Sequence, residues 1–293
     1  MNNIEELVKK NRPEISKSSL KTYESILRNL YNNVFDDDEY KINNFDNHEK
    51  ILKFLKELPV NKRKTILSAL VVITDNKNYR DQMLEDIKEY NKNINKQEKT
   101  ETQSDNWIDN TDIVKIHNAL KKDANILYKK DVIKINDLQD IENYIIICLL
   151  GGIYIPPRRS KDFVDFKIKD IDKEKDNYYD GNYLVFNSYK TAKTYGQQKV
   201  KVPKELKPIL KKWLKYNPTD YLLFDSQLKK LSNVKLNQRL FKIFGKKVGV
   251  NGLRKTFLTE KYGDLIEVKN NLSKDMSLMG SSTLQETHYI KKA

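Results

Sequence analysis

The chain has 293 residues, with 55 Lys+Arg against 41 Asp+Glu and a formal net charge of +14. That length suits one large domain or two modest ones with real cores, and the positive excess favours a polyanionic partner, nucleic acid or an anionic membrane face. A single cysteine, Cys148, excludes an internal disulfide, and one Cys with three His at unrelated spacings (His48, His117, His288) excludes a zinc cluster.

The N-terminus "MNNIEELVKKNRPEISK" lacks an apolar signal core, and no apolar run reaches membrane-spanning length. A soluble intracellular protein of a reducing compartment, with no membrane partner, is expected. The richness in Lys, Asn, Ile and Tyr is also the mark of AT-rich coding, which raises the charge without deciding where it sits.

In chain order, "SLKTYESILRNLYNNVF" places Leu20, Tyr23, Ile26, Leu27, Leu30, Tyr31 and Val34 on one helical face, with Ser18 or Ser19 to cap it. Further helices fit "NHEKILKFLKEL", stopped by Pro59, then "NKRKTILSALVVIT" and "YRDQMLEDIKEYNKNI". Residues 1–95 therefore predict an all-α bundle of four helices, and the polar stretch 96–106 a flexible linker. From 107, "WIDNTDIVKIHNALKKDANIL" and "DLQDIENYIIICLLGGIY" are helical, Cys148 being a buried small residue of the second. "FKIKDID", "GNYLVFNSYK" and "QQKVKVP" alternate as three short antiparallel strands. Helices resume with "KELKPILKKWLKY", "NVKLNQRLFKIFGKK", "NGLRKTFLTEKYG" and the terminal stretch. The fold class is two domains: the helical bundle, then an α+β domain of mostly helices over 107–293.

Four segments carry candidate chemistry. In "YIPPRRSKDF" the two prolines suit the first turn of a helix, whose positive end would present Arg158 and Arg159 to phosphate. Asp162, three residues after Arg159, would orient its guanidinium. Alone, the pair reads as ordinary surface arginines. In "YLVFNSYKTAKTYGQQKVKVP" a hairpin carries Lys190 at the end of its first strand and Lys193 in the turn, positions that are normally just solvated. In "VNGLRKTF" Arg254 lies in a helix's first turn, and in "LMGSSTLQETHYIKKA" Ser281 or Ser282 caps a last helix bearing Tyr289. A tyrosine four residues from the C-terminus is otherwise a frayed end.

In this order, with strands between them, the four segments resemble the tyrosine recombinase (phage integrase) family over nearly the whole chain. The matching features are Arg159 followed by Asp162, Phe166 and "IKDID"; Lys190 in a strand-then-Lys-Thr hairpin; "NGLRKTF" for the family's His-x-Leu-Arg box; and "MGSSTLQETHY" for its Gly-to-tyrosine spacing. The first 95 residues resemble the family's SAM-like core-binding domain. The "IPPRRSKDF" form, with the AT-rich composition, is similar to versions carried by large eukaryotic DNA viruses and virophages, for which a cytoplasmic virus factory or the nucleus of the host is the implied location.

The resemblance implies site-specific cutting and rejoining of double-stranded DNA through a 3′-phosphotyrosyl intermediate, without metal or ATP, by a homo-tetramer on paired sites. Implied catalytic residues are Arg159, Lys190, Asn251, Arg254 and Tyr289, supported by Asp162, Lys193, Lys255 and Ser281; Lys190 and Lys193 both stay open as the proton donor. Asn251 stands where the family's first box has a histidine, the second histidine position is either deleted or occupied by Ser281, and Lys255 stands after the box arginine in place of another. Asn251 can donate to a phosphate oxygen but cannot exchange a proton. Those losses keep two alternatives open, a type IB topoisomerase-like relaxing enzyme and a catalytically weakened DNA-binding protein. An RNA-binding role fits less well, because no aromatic stacking platform of the sheet type is evident.

Overall fold

The computed structural model describes residues 3–35 and 41–279, and the chain divides into two compact units, 1–99 and 100–293. The first unit is helical throughout its described residues: α1 (Asn3–Asn11), α2 (Lys17–Val34), a short 3-10 turn (Ile42–Asp46), α3 (His48–Lys56), α4 (Val60–Thr74) and α5 (Lys77–Asn95). Helix α1 adds to the four expected from periodicity. Its Ile4 and Val8, one turn apart, are buried in the same core as Leu27, Leu30, Leu67 and Leu70. Ser16, not Ser18 or Ser19, caps α2, its side chain accepting from the Ser19 N–H.

One buried ion pair locks α4 to α5. The Arg63 guanidinium donates through Nε to both Asp86 oxygens (2.9 and 2.8 Å) and through Nη2 to Oδ1 (2.6 Å). The Asp86 side chain is only 1% exposed, so removing its partner strands a charge in a dry site.

The second unit contains α6 (Glu101–Asp105), α7 (Asn110–Leu127), α8 (Ile135–Leu150), α9 (Ser160–Val164), β1 (Phe166–Lys167), β2 (Asn177–Tyr179), β3 (Tyr183–Phe186), α10 (Ala192–Tyr195), β4 (Gln198–Lys201), α11 (Leu206–Tyr216), α12 (Asn233–Phe244), α13 (Val250–Tyr262) and α14 (Leu265–Leu278). Part of the stretch expected as flexible is ordered: α6 carries a reciprocal capping box between Thr100 and Gln103. Helix α8 is the axis of this core. Every residue from Tyr144 to Leu150, Cys148 included, is buried, with α7 and α11 packed alongside. Glu142 of α8, fully buried, accepts from the Phe224 N–H and pairs with Arg239 of α12, joining three segments around one carboxylate. His117 is buried too, its ring bonded to Asn118 and the Tyr154 hydroxyl; burial holds its pKa below the usual range.

The sheet corrects one expectation. It has four strands in the order β1-β2-β3-β4, not three, and β1 pairs with β2 in parallel while the other two pairings are antiparallel. The extra strand, "NYY", was hidden among charged and turn residues. The segment 168–176 carries the chain back so that β2 runs alongside β1, turning at Asp170, which adopts a positive φ of 47°. Among the described residues no helix is long and apolar enough to cross a membrane.

Arg63→Ala is expected to destabilise the first unit by about 3 kcal/mol, the cost of leaving the buried Asp86 charge uncompensated. Urea unfolding followed by circular dichroism checks it.

Candidate anion-binding site

Helix α9 begins at Ser160, later than the proline pair suggested. Arg159 is its N-cap, with extended backbone (φ −67°, ψ 151°), and Pro156 and Pro157 lie before it. The Asp162 N–H donates to the Arg159 carbonyl at 3.0 Å and closes the first turn, but among the described residues the Asp162 carboxyl makes no ion pair with Arg159. It pairs with Arg158 instead: Arg158 Nε donates to Asp162 Oδ2 at 2.9 Å. Arg158 Nη1 donates to Gln198 Oε1 of β4 at 2.8 Å, and its guanidinium lies 3.9 Å from the Phe186 ring centre and 5.1 Å from that of Tyr189. Held by α9, β3 and β4 together, Arg158 is part of the scaffold that the sequence showed only as one of two adjacent arginines.

Asp162 is 2% exposed, and its second oxygen, Oδ1, has no hydrogen-bond partner among the described residues. Desolvation pushes its carboxyl above the usual range, against the pull of Arg158, Arg159 and Arg254. Arg254, one turn into α13, lies within electrostatic reach of the same group. Burial first, then the charges of Arg159 and Arg158, lower its pKa, with Asp162 opposing them. Its nearest polar contact is a long one, Nη1 to Asn251 Oδ1 at 3.5 Å. The chain thus gathers three guanidinium groups, from positions 95 residues apart, around a single carboxylate. Among the described residues neither Arg159 nor Arg254 forms an ion pair. Half-buried like charges of this kind are stabilised by an anion with several oxygens, and the planar fork of arginine matches phosphate.

Three features seat α13. Asn237 Oδ1 accepts from the Val250 N–H at 3.0 Å, and Thr256 Oγ1 donates to the Ile108 carbonyl at 2.8 Å within the core. Gly152, with φ +77°, lets the Phe257 ring approach so closely that a Cβ would sit 2.7 Å from it. Phe257 is three residues beyond Arg254, so this contact helps set the height of the guanidinium. The Gly-Gly pair after the apolar run was the visible signal for such a close approach; nothing in the sequence pattern marked Thr256.

Of the other sequence-derived candidates, Asn251 and Lys255 are exposed on the first turns of α13. They line a cleft of about 380 Å³ shared with Ser160, Gly252, Lys247 and Trp107. Lys190 and Lys193 are exposed on the segment between β3 and β4. The structure shows no bond from Lys190 to the arginines, but the ring of its neighbour Tyr189 lies beside Arg158. Ser281 and Tyr289 lie outside the described residues.

No family model matches the chain, and no curated protein matches it. Among solved structures, it is similar to the Tn1549 transposon integrase (residues 82–397) in complex with circular intermediate DNA, at 15% identity and a TM-score of 0.49, over 89% of this chain and 87% of that one. It is also similar to the XerA recombinase, at 15% identity and a TM-score of 0.35, over 88% of this chain and 82% of that one. Neither likeness is close enough to define chemistry, which has to be read from the chain's own residues.

Gly152→Ala is expected to lower the stability of the second unit by about 2 kcal/mol, because it combines a strained positive φ with overpacking against Phe257. Chemical denaturation monitored through tryptophan fluorescence measures it, since Trp107 and Trp213 both lie in this unit.

Proposed function

We propose that the chain is a DNA strand transferase of the tyrosine recombinase type, with residues 1–95 gripping DNA and residues 107–293 carrying the chemistry. What supports this reading is the meeting of Arg159 and Arg254, two forks without carboxylate partners among the described residues, in a basic chain whose ordered motifs end in Tyr289.

In this reading the Tyr289 phenol oxygen attacks the scissile phosphorus and gives up its proton to solvent. The bond from phosphorus to the 5′-oxygen breaks, and that oxygen leaves with the electron pair and takes a proton from Lys190. The product is a 3′-phosphotyrosyl link and a free 5′-hydroxyl, with the bond energy kept for rejoining. Arg159 and Arg254 hold the non-bridging oxygens as charge builds on them. Asn251 adds a neutral donor, and Lys255 and Lys193 add positive charge nearby. Tyrosine ionises near pKa 10 in isolation, so cations close to the ring favour the phenolate and make it a better nucleophile. The assembly is a tetramer on paired DNA sites, of the kind found in viral and virophage elements.

The test is capture from a pool of nicked duplexes of randomised sequence, in which the short fragment bearing the new 5′-hydroxyl is lost after cleavage and rejoining is blocked. The full chain is expected to form adducts that survive denaturation, and Tyr289→Phe none. DNA binding without any adduct would instead make this a DNA-binding protein that has lost catalysis.

Loss of one oxyanion-type donor costs about 3 kcal/mol, roughly a hundredfold in rate. Arg159→Ala and Arg254→Ala are therefore expected to abolish detectable adduct, whereas Asn251→Ala only slows its formation. Equal loss from all three, in single-turnover assays, would contradict this hierarchy.

A further inference from the structure

Asn177 opens β2 and is completely buried. Its side-chain Nδ2 donates to the carbonyls of Asp162 (3.0 Å) and Ser188 (2.9 Å), and its Oδ1 accepts from the N–H groups of Asn187 (2.9 Å) and Ser188 (2.8 Å). A primary amide has two donor hydrogens and two acceptor lone pairs; here all four are matched to backbone groups. The partners lie on two separate pieces of chain. One is α9, where Asp162 sits three residues after Arg159. The other is the exit of β3: the ladder with β2 pairs Tyr178 with Val185 and Tyr179 with Leu184, and Asn187 and Ser188 lie beyond it, three and two residues before Lys190.

A second layer braces the same exit. Asn187 Nδ2 donates to the carbonyls of Lys173 (2.8 Å) and Asp176 (2.9 Å), and its Oδ1 accepts from Gln197 Nε2 (2.8 Å). The Tyr189 hydroxyl donates to the Gly196 carbonyl at 2.7 Å, closing the turn. The base of the turn is fixed while Lys190 itself remains exposed. A proton donor needs this combination, since it must come within hydrogen-bond reach of the leaving atom and still be free to approach it.

We propose that Asn177 is a positioning residue for Lys190: its buried amide sets the Lys190 turn against the helix that Arg159 caps. The inference rests on the reading of Lys190 as proton donor, and its test separates the two. Single-turnover adduct formation is measured on the captured duplex and on the same duplex with sulfur replacing the 5′-bridging oxygen. A thiol ionises near pKa 8.5, so the sulfur leaves without a proton and a misplaced donor no longer matters. Asn177→Asp keeps the shape and the acceptor oxygen but loses both donations. Asn187→Ala, at the half-buried outer layer, serves if the first variant does not fold. Lys190→Ala is the reference for a missing donor.

On the oxygen duplex, both clamp variants are expected to slow adduct formation by about tenfold or more; on the sulfur duplex, they should stay within about threefold of the parent chain. Equal loss on both duplexes, or no loss on either, overturns the proposal. If the parent chain forms no adduct on either duplex, the strand-transfer reading falls, and hydrogen exchange decides whether the clamp exists. Asn187→Ala should raise exchange in 187–197 and leave α13 unchanged, and unchanged exchange in 187–197 overturns the clamp as well.

Discussion

The second unit is organised around an electrostatic imbalance. Arg158, Arg159 and Arg254 share a partly desolvated space with the carboxylate of Asp162, and burial first, then the field of the other two arginines, pulls the Arg254 pKa down. Positive charges assembled in such a place repel one another, and burial removes the water that would screen them. A fold keeps this arrangement only if rigid anchors resist the repulsion. The sum of the charges is also what makes the site useful, because a group carrying delocalised negative charge relieves the imbalance.

The anchors divide the work. Arg158 is neutralised by Asp162, tied to Gln198 and stacked on Phe186, so it joins α9 to the sheet and leaves Arg159 without a partner among the described residues. On the other side, α13 is held by the Asn237 cap, the Thr256 hydroxyl and the Phe257 ring against Gly152, all close to Arg254. Asn177 performs the same service for the Lys190 turn. Each anchor is a polar group with its bonding capacity filled in a buried place, or a glycine admitting a close contact, and such features give a unique geometry more than they give net stability.

The helices were readable because their information is local. Residues Leu20 to Val34 recur with helical period and bury the expected face in α2, and the apolar run of α8 became a wholly buried axis. Where a boundary depended on partners outside the segment, periodicity misled. The proline pair does not open α9, because Arg159 keeps extended backbone before Ser160. Strand β2 has three residues whose pairing partners lie on β1 and β3, and the charged and turn residues on either side of it mask the strand. The polar stretch after position 95 contains a capped helix, whose adjoining residues bond to the α12–α13 segment: Asn106 accepts from the Lys247 N–H, and Lys246 donates to the Trp107 carbonyl.

By itself, the sequence determined the balance of charge, the helical unit followed by an α+β unit, and the presence of arginines, a lysine and a tyrosine in a suggestive order. These are properties of composition and of neighbours within a few residues. Only the tertiary structure decided that Asp162 serves Arg158 and not Arg159, that Arg254 joins them, and that Asn177 binds α9 to the Lys190 turn. Those pairings span 4, 92 to 96, and 11 to 15 positions in the chain. A hydrogen bond or an ion pair is set by angles and distances of a fraction of an ångström, which no spacing of residue types along a chain can specify.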